Sequence, residues 1–144
     1  MKRFIFTFFL VSLVFNVYSQ NADNLVDICS SSTGEDATYL KDFQASLAET
    51  PVDQRAPYEK FTVVLSKNTK YRFTICNSED TQGTGILKLM DANKLLGSSF
   101  NESTGKDYQS FNFPCTKTGV YHLLISFRNG KEGKAVAIMS YLGK

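Results

Sequence analysis

The chain has 144 residues, of which 42% are hydrophobic, 21% charged and 13% aromatic. This composition is typical of one ordinary globular domain, and it excludes collagen-like, low-complexity and wholly disordered chains as well as a large multidomain enzyme. The formal net charge of +2 is too small to indicate a nucleic-acid partner.

The first nineteen residues have the pattern of a secretory signal peptide. Lys2 and Arg3 form a positively charged start, a mostly apolar run extends over residues 4–17, and Ser19 is the small residue of a cleavage site. A membrane anchor is the alternative, but fourteen residues span only about 21 Å as a helix, less than the roughly 30 Å of a bilayer core. We therefore predict cleavage after Ser19 and a secreted or periplasmic location.

Export would also change the charge of the chain. Cleavage removes Lys2 and Arg3, which leaves equal numbers of basic and acidic residues. A neutral surface argues against binding to phosphate backbones or anionic membranes. A lipid anchor would require a cysteine directly after the signal, whereas the first cysteine is Cys29. We therefore expect no nucleic-acid partner, and no transmembrane segment in the mature chain.

The start of the mature chain carries weaker signals. Residues 20–37 are mostly polar and predict a loose lead-in, with at most one short strand near residues 25–28. Residues 36–47 are compatible with a helix, but the alternation of apolar and polar residues in this segment suits a strand as well. We place the folded domain at residues 38–144.

Short runs of alternating apolar and polar residues follow from residue 58 to the end of the chain, with the period of a half-buried strand. Turn-forming residues separate the runs, including Asn129 and Gly130. Many short strands at such spacing are typical of a sandwich or barrel. We predict an all-β fold of seven or eight antiparallel strands in two packed sheets. The positions expected to face the core are Phe61, Val63, Leu65, Tyr71, Phe73, Ile75, Leu87, Leu89, Phe111, Phe113, Tyr121, Leu123, Ile125, Phe127, Val136, Ile138 and Leu142.

The order of these runs resembles that of a known family. The pair FTVVLSKNTKYRFTI is followed by a GILKLMDANKLLGSS hairpin, an FNF strand and the run TGVYHLLISF. Over residues 58–142, this succession resembles the pre-peptidase C-terminal type of secreted bacterial β-sandwich domain, with a Gly-x-Tyr corner at Gly119 and Tyr121. The resemblance implies a jelly-roll-like sandwich that is an accessory module rather than a catalyst. The chain also resembles secreted proteins of unknown function from Bacteroidetes-type bacteria.

The three cysteines are disulfide candidates, because an exported chain meets oxidising conditions. If consecutive strands are antiparallel, Cys76 and Cys115 lie at opposite ends of the sandwich, about 20 Å apart, whereas a bridge requires Cα atoms within about 7 Å. A bridge then involves Cys29. We favour Cys29–Cys115, with Cys76 as the alternative partner of Cys29. A further hypothesis is that the chain has no disulfide and all three cysteines are free thiols. We name the two ends of the sandwich the Cys76 end and the Cys115 end.

Acidic residues gather in loops predicted at the Cys76 end. Glu79 and Asp80 follow the strand of Cys76, and the alternation of strand direction brings Glu102 and Asp107 to the same end. Because loops of several strands meet there, these four residues are the candidate ligand-binding residues. A calcium site at Glu79 and Asp80 is one interpretation, although the chain lacks the spacing of an EF-hand. Solvated turn charges are the other, and no other cofactor is expected.

The sequence contains no catalytic motif, neither Gly-x-Ser-x-Gly nor His-Glu-x-x-His. The single histidine, His122, lies on the strand face opposite the apolar residues. We therefore expect a secreted, non-catalytic module that binds a protein or glycan through its end loops or a sheet face, where Tyr58, Tyr108 and Tyr141 are available for stacking. The alternatives are a small metal-dependent hydrolase that uses loop carboxylates, and a structural cell-envelope component whose sheet edge accepts a partner strand.

Overall fold

The computed structural model describes residues 20–144, so the predicted signal peptide lies outside the described residues. Within residues 20–144, no helix is both long enough and apolar enough to cross a membrane. The helix is α1 (Gln20–Ser31), and the strands are β1 (Thr38–Leu47), β2 (Tyr58–Leu65), β3 (Thr69–Asn77), β4 (Gly85–Asp91), β5 (Lys94–Ser98), β6 (Phe100–Asn101), β7 (Lys106–Asp107), β8 (Ser110–Cys115), β9 (Gly119–Phe127) and β10 (Gly133–Gly143).

Eight of these strands form two antiparallel sheets that pack face to face. Sheet I has the order β1–β10–β3–β8, and sheet II has the order β2–β9–β4–β5. The chain crosses from one sheet to the other between β1 and β2, between β2 and β3, and at each later step except the β4–β5 hairpin. This is the connectivity of a jelly roll. The predicted all-β, jelly-roll-like sandwich is therefore confirmed, with the short hairpin β6–β7 as an addition.

Alternation along the strands builds the core, as predicted. Leu65, Leu87, Leu89, Leu123 and Ile125 are completely buried between the sheets. Burying a side chain of this size contributes about 1.5–3 kcal/mol, so these residues provide much of the driving force for folding. Within the segment 36–47, residues 38–47 form strand β1, and its residues Phe43 and Ala45 complete the core from sheet I.

The assignment of the β10 residues Val136 and Ile138 to this core was wrong. Both side chains are buried on the outer face of sheet I, where they form a separate cluster, while Ala135 and Ala137 face the core instead. The reason is that β10 is apolar on both faces, so that alternation alone does not decide which face points inward. Another part of the chain must therefore shield these apolar side chains on the outer face of sheet I from water.

Helix α1 supplies that cover, which corrects the prediction of a loose lead-in. Leu25, Val26 and Cys29 lie on one side of the helix and pack against Val136 and Ile138. Cys29 follows Leu25 by four residues and Val26 by three, which are the spacings of neighbours on one helix face, whereas a strand would send Leu25 and Val26 to opposite faces. Apart from Ala22 and Ile28, the remaining positions of the helix are polar, which is why the segment lacks a strong signal.

The disulfide joins Cys29 to Cys76, with Cα atoms 5.6 Å apart, so the favoured pairing with Cys115 was wrong. Cys76 lies beside Val136 on the outer face of sheet I, where α1 packs. Cys115 pairs with Thr69 at the far end of β3, which confirms that Cys76 and Cys115 lie at opposite ends. Cys115 is a buried free thiol. The bridge therefore fastens the helix to sheet I.

Arg72 fastens the segment after α1 to the same face. Its Nη1 donates to the carbonyl of Thr33 and to Asp36 Oδ1, both at 2.7 Å, and its Nη2 donates to Asp36 Oδ2 at 3.1 Å. Its Nε donates to Asn112 Oδ1 at 2.9 Å. Such a two-point contact with a carboxylate fixes orientation as well as distance. One outward side chain of β3 thus connects β8, the turn after α1 and the approach to β1.

Gly119 and Tyr121 form a corner at the Cys115 end. The hydroxyl of Tyr121 donates to the carbonyl of Lys117 at 2.5 Å, and the Cys115 thiol donates to the same carbonyl at 3.2 Å. Burial, with the adjacent Cys115 as a second cause, raises the pKa of Tyr121 to about 12. A buried tyrosine that bonds to the backbone just upstream is a known device for fixing a strand corner.

Removing the disulfide should reduce stability strongly. The combined substitution Cys29→Ser and Cys76→Ser is expected to lower the free energy of unfolding by about 4 kcal/mol, because the bridge spans 47 residues of chain. Urea unfolding followed by circular dichroism measures this change. Reductant should destabilise the wild type and a Cys115→Ala control, and it should leave the double variant unchanged. A wild type whose stability is insensitive to reductant would contradict the prediction.

The Arg72–Asp36 contact should make stability depend on pH. Hydrogen bonds from Arg72 hold the pKa of Asp36 below its ordinary value of 3.8. A carboxyl group with a lowered pKa stabilises the folded state above its unfolded pKa, and this contribution is lost as the pH falls through its folded pKa. Asp36→Asn should therefore lower Tm near neutral pH and flatten the decrease in Tm between about pH 5 and pH 2. Asp53→Asn, at an exposed loop position, is the control, and identical profiles for Asp36→Asn and wild type would refute the assignment.

Candidate functional site

Two grooves meet at Tyr108, between α1 and the β6–β7 hairpin. The helix groove has a volume of about 420 Å³ and lies at the Cys76 end, and the hairpin groove has a volume of about 360 Å³. Both are within the size range of small-molecule sites. The helix groove is lined by Leu25, Ile28, Ser32, Ile75, Cys76, Asn77, Thr84, Gly85, Asp107, Tyr108 and Gln109. The hairpin groove is lined by Lys88, Leu95, Ser98, Phe100, Asn101, Glu102 and Tyr108.

The helix groove combines an apolar wall with polar groups. Ile28 lies on the side of α1 that faces away from sheet I and is 56% exposed, although its neighbour Cys29 is fully buried. Opposite this wall, Gln109 Nε2 donates to Ser32 Oγ at 3.3 Å, and Ser32 Oγ in turn donates to the carbonyl of Cys29 at 2.8 Å. The disulfide thus fixes both the helix wall and the hydroxyl that faces Gln109.

The hairpin groove lies along the edge of sheet II and is more strongly charged. Lys88 Nζ lies 3.3 Å from Glu102 Oε1, and the Glu102 side chain is mostly exposed. Ser98 Oγ donates to the carbonyl of Phe100 at 2.9 Å, which shapes the turn between β5 and β6. The apolar contribution comes from Leu95, which is 51% exposed, and from Phe100. An ion pair beside exposed apolar groups gives this groove both donors and acceptors.

Tyr108 separates the two grooves and lines both. Its backbone N–H donates to the carbonyl of Ser99 at 2.7 Å, which fixes the residue just after β7. Its ring is 43% exposed, and Lys106 Nζ lies 5.0 Å from the ring centroid. An exposed tyrosine offers an apolar face together with a hydroxyl that can donate or accept. The structure therefore presents one aromatic ring to a ligand in either groove.

A stack of three side chains holds the hairpin that carries Tyr108. The guanidinium of Arg128 lies 4.3 Å from the centroid of the Phe100 ring, and Arg128 Nη2 lies 2.6 Å from Asp107 Oδ2. Arg128 belongs to a short 3-10 helix after β9, and its backbone N–H donates to the carbonyl of Thr84. The cation thus ties β6 and β7 to the loops of the Cys76 end.

The four predicted ligand-binding residues do not form one cluster. Asp107 lines the helix groove and Glu102 lines the hairpin groove, on either side of Tyr108. Glu79 and Asp80 are exposed in the loop before β4 and line neither groove. In the described part of the chain, no group of three or more His, Cys, Asp or Glu side chains could hold a metal ion. The proposed calcium position at Glu79 and Asp80 therefore gains no further ligand of this kind there.

His122 and Cys115 lie in different environments. His122 Nδ1 is 3.3 Å from the hydroxyl of Thr62, on the outer face of sheet II. The Cys115 thiol is buried in the core between the sheets. The expectation that His122 lies on the face opposite the apolar residues is confirmed, since Tyr121 and Leu123 are buried in the core.

Sequence reasoning missed most of the helix groove. The sequence predicts at most one short strand near residues 25–28, although Leu25 and Ile28 have the three-residue spacing of neighbours on a helix. Gln109 gives no signal in the sequence, because its partner Ser32 lies 77 residues away along the chain. Tyr108 was recognised as a stacking candidate, but its place between two grooves depends on the Arg128 stack.

No protein-family model matches the chain, and no curated protein matches it in sequence. The resemblance to pre-peptidase C-terminal domains therefore stays a prediction that these comparisons do not test.

Loss of the Arg128 side chain should loosen the hairpin. Arg128→Ala removes the contact with the Phe100 ring and the ion pair with Asp107, which together are worth about 1 kcal/mol for partly exposed groups. We expect faster hydrogen exchange at the amide of Tyr108, measured by NMR. Lys131→Ala is the control, because Lys131 pairs with Glu49 outside the hairpin. Equal exchange rates at Tyr108 in both variants would show that the stack does not hold the hairpin.

Proposed function

We propose that this chain is a secreted, non-catalytic binding module that takes a hydroxyl-rich ligand, a glycan, across the two grooves that flank Tyr108. The observation that carries the proposal is the position of Tyr108, an exposed aromatic residue that lines both grooves. A ligand that continues from one groove to the other would pass over this ring.

The polar groups around Tyr108 support a glycan. The helix groove offers Ser32, Asp107 and Gln109, and the hairpin groove offers Asn101 and Glu102. These hydroxyl, amide and carboxylate groups donate to and accept from ligand hydroxyls, while an aromatic face packs on the apolar side of a sugar ring. A few convergent polar groups around an aromatic residue are the usual composition of a small-molecule site.

The contacts of the two carboxylates also support ligand binding. Glu102 lies 3.3 Å from the Lys88 ammonium, and Asp107 lies 2.6 Å from the Arg128 guanidinium. An ion pair orients a carboxylate, and its remaining lone pairs can accept hydrogen bonds from ligand hydroxyls. Both groups therefore serve best as fixed acceptors at the two groove walls.

Export is the second part of the proposal. It rests on the signal-peptide pattern of residues 1–19 and on the Cys29–Cys76 disulfide, since disulfides persist in oxidising compartments. The accessory role implied by the family resemblance is consistent with a module that binds without catalysis.

Binding should depend on Tyr108. The purified protein is applied to an array of bacterial and host-type glycans, and the best ligand is titrated by calorimetry. Tyr108→Ala should weaken that ligand about tenfold or more, because it removes the stacking surface of both grooves. Tyr39→Ala is the matched control, since Tyr39 is similarly exposed, at 45%, but lies on β1 outside both grooves. Equal losses in both variants, or no glycan bound at millimolar concentration, would refute the proposal.

A further inference from the structure

The four outer strand edges of the sandwich differ in how they are protected. Unpaired edge strands invite pairing with another chain, and proteins usually interrupt them with bulges, prolines or short lengths. Strand β1 has a bulge between Tyr39 and Lys41, and β8 contains Pro114. Strand β5 has only five residues and pairs with β4 through a register shift. Three of the four edges therefore carry an interruption.

Strand β2 is the exception. It has eight residues and pairs with β9 without any shift, from Tyr58 opposite Ser126 to Leu65 opposite Gly119. It contains no proline, and within residues 20–144 no backbone hydrogen bond reaches its free edge. Tyr58 and Val64 are 54% and 68% exposed on its outer face. This edge is regular and apolar near both ends, and Lys60 is the one charged side chain on its outer face.

The side chains of β2 complement a second copy of the same strand. In an antiparallel pair, directly opposed residues point to the same face of the sheet. A two-fold axis between two copies of one strand must therefore lie midway between the two copies of a single residue, which then oppose each other. With the axis at Phe61, Tyr58 of each copy opposes Val64 of the other, and Lys60 opposes Thr62. Aromatic and β-branched side chains form favourable cross-strand pairs. Phe61 is only half-buried where it packs against the core, and in the dimer it would contact Phe61 of the other copy.

We propose that two copies of this chain associate through antiparallel pairing of their β2 edges, with Phe61 at the two-fold axis. The pairing joins two copies of sheet II into one eight-stranded sheet. It uses the free N–H and C=O groups of both edges and covers Tyr58 and Val64. The interface is isologous, so it closes at two copies and leaves no free β2 edge.

Sedimentation of the purified protein, from micromolar concentration to about 1 mM, tests this proposal. The wild type should show a dimer, and Val64→Lys should raise the dimer dissociation constant about tenfold or more, because it places a charge opposite Tyr58 in both copies. Val120→Lys is the matched control: Val120 lies beside Val64 on the same face and is also exposed, but it belongs to the inner strand β9. A monomeric wild type, or equal effects of both lysines, would overturn the proposal.

Cysteine pairs test the register independently of stability. Residues 58 and 64 lie about 20 Å apart on one strand, so a Tyr58→Cys, Val64→Cys double variant cannot form this bridge within one chain. In the proposed dimer the cysteine at position 58 of each copy opposes the cysteine at position 64 of the other, and oxidation should give a covalent dimer on a non-reducing gel. A Tyr58→Cys, Val120→Cys variant should not. Crosslinking of the control alone, or of neither variant, would refute the register and the edge pairing.

Discussion

The double-sided apolar character of β10 is the constraint on which the rest of the structure depends. Its inner residues Ala135 and Ala137 are small enough for the large side chains of sheet II to pack against them, and its outer residues Val136 and Ile138 would face water without a cover. Burial of these two residues contributes several kcal/mol, which favours the packing of a largely polar helix against them. The position of α1 thus follows from the sequence of β10, more than from its own sequence.

The attachment of α1 connects stability to the site. An isolated helix of twelve residues is marginal in water, so tertiary contacts must hold it. The Cys29–Cys76 bridge fastens its last turns, and Arg72 fastens the segment that follows. Because Ile28 and Ser32 lie on either side of Cys29, the bridge attaches the wall of the helix groove directly to sheet I. A binding surface placed in this way loses little conformational entropy when a ligand binds.

The sequence could predict the sandwich because its signals are local. Alternation in residues 121–127 decides which face of β9 is buried, and Asn129 and Gly130 adopt the positive φ values that their turn requires. The helix and the disulfide partner could not be predicted in the same way, because both depend on the outer face of a sheet that forms only after distant strands have paired. The carboxylates of the site are a mixed case: Asp107 and Glu102 could be selected as loop residues, but their separation by Tyr108 depends on the Arg128 stack.

The hairpin groove and the free edge of β2 lie at opposite edges of sheet II. This arrangement would let the proposed glycan site and the proposed dimer interface act together. Strands β9 and β4 lie between β2 and β5, and the hairpin groove adjoins β5. A dimer formed through β2 would therefore carry its two Tyr108 sites at the outer ends of the joined sheet, free of the interface. Two sites on one rigid body can engage a repeating polymer at two points, and such linkage strengthens binding by about 10²–10⁴ without any new contact. A shallow groove with modest affinity for one sugar unit would in this way suffice for a module that attaches to a polysaccharide surface.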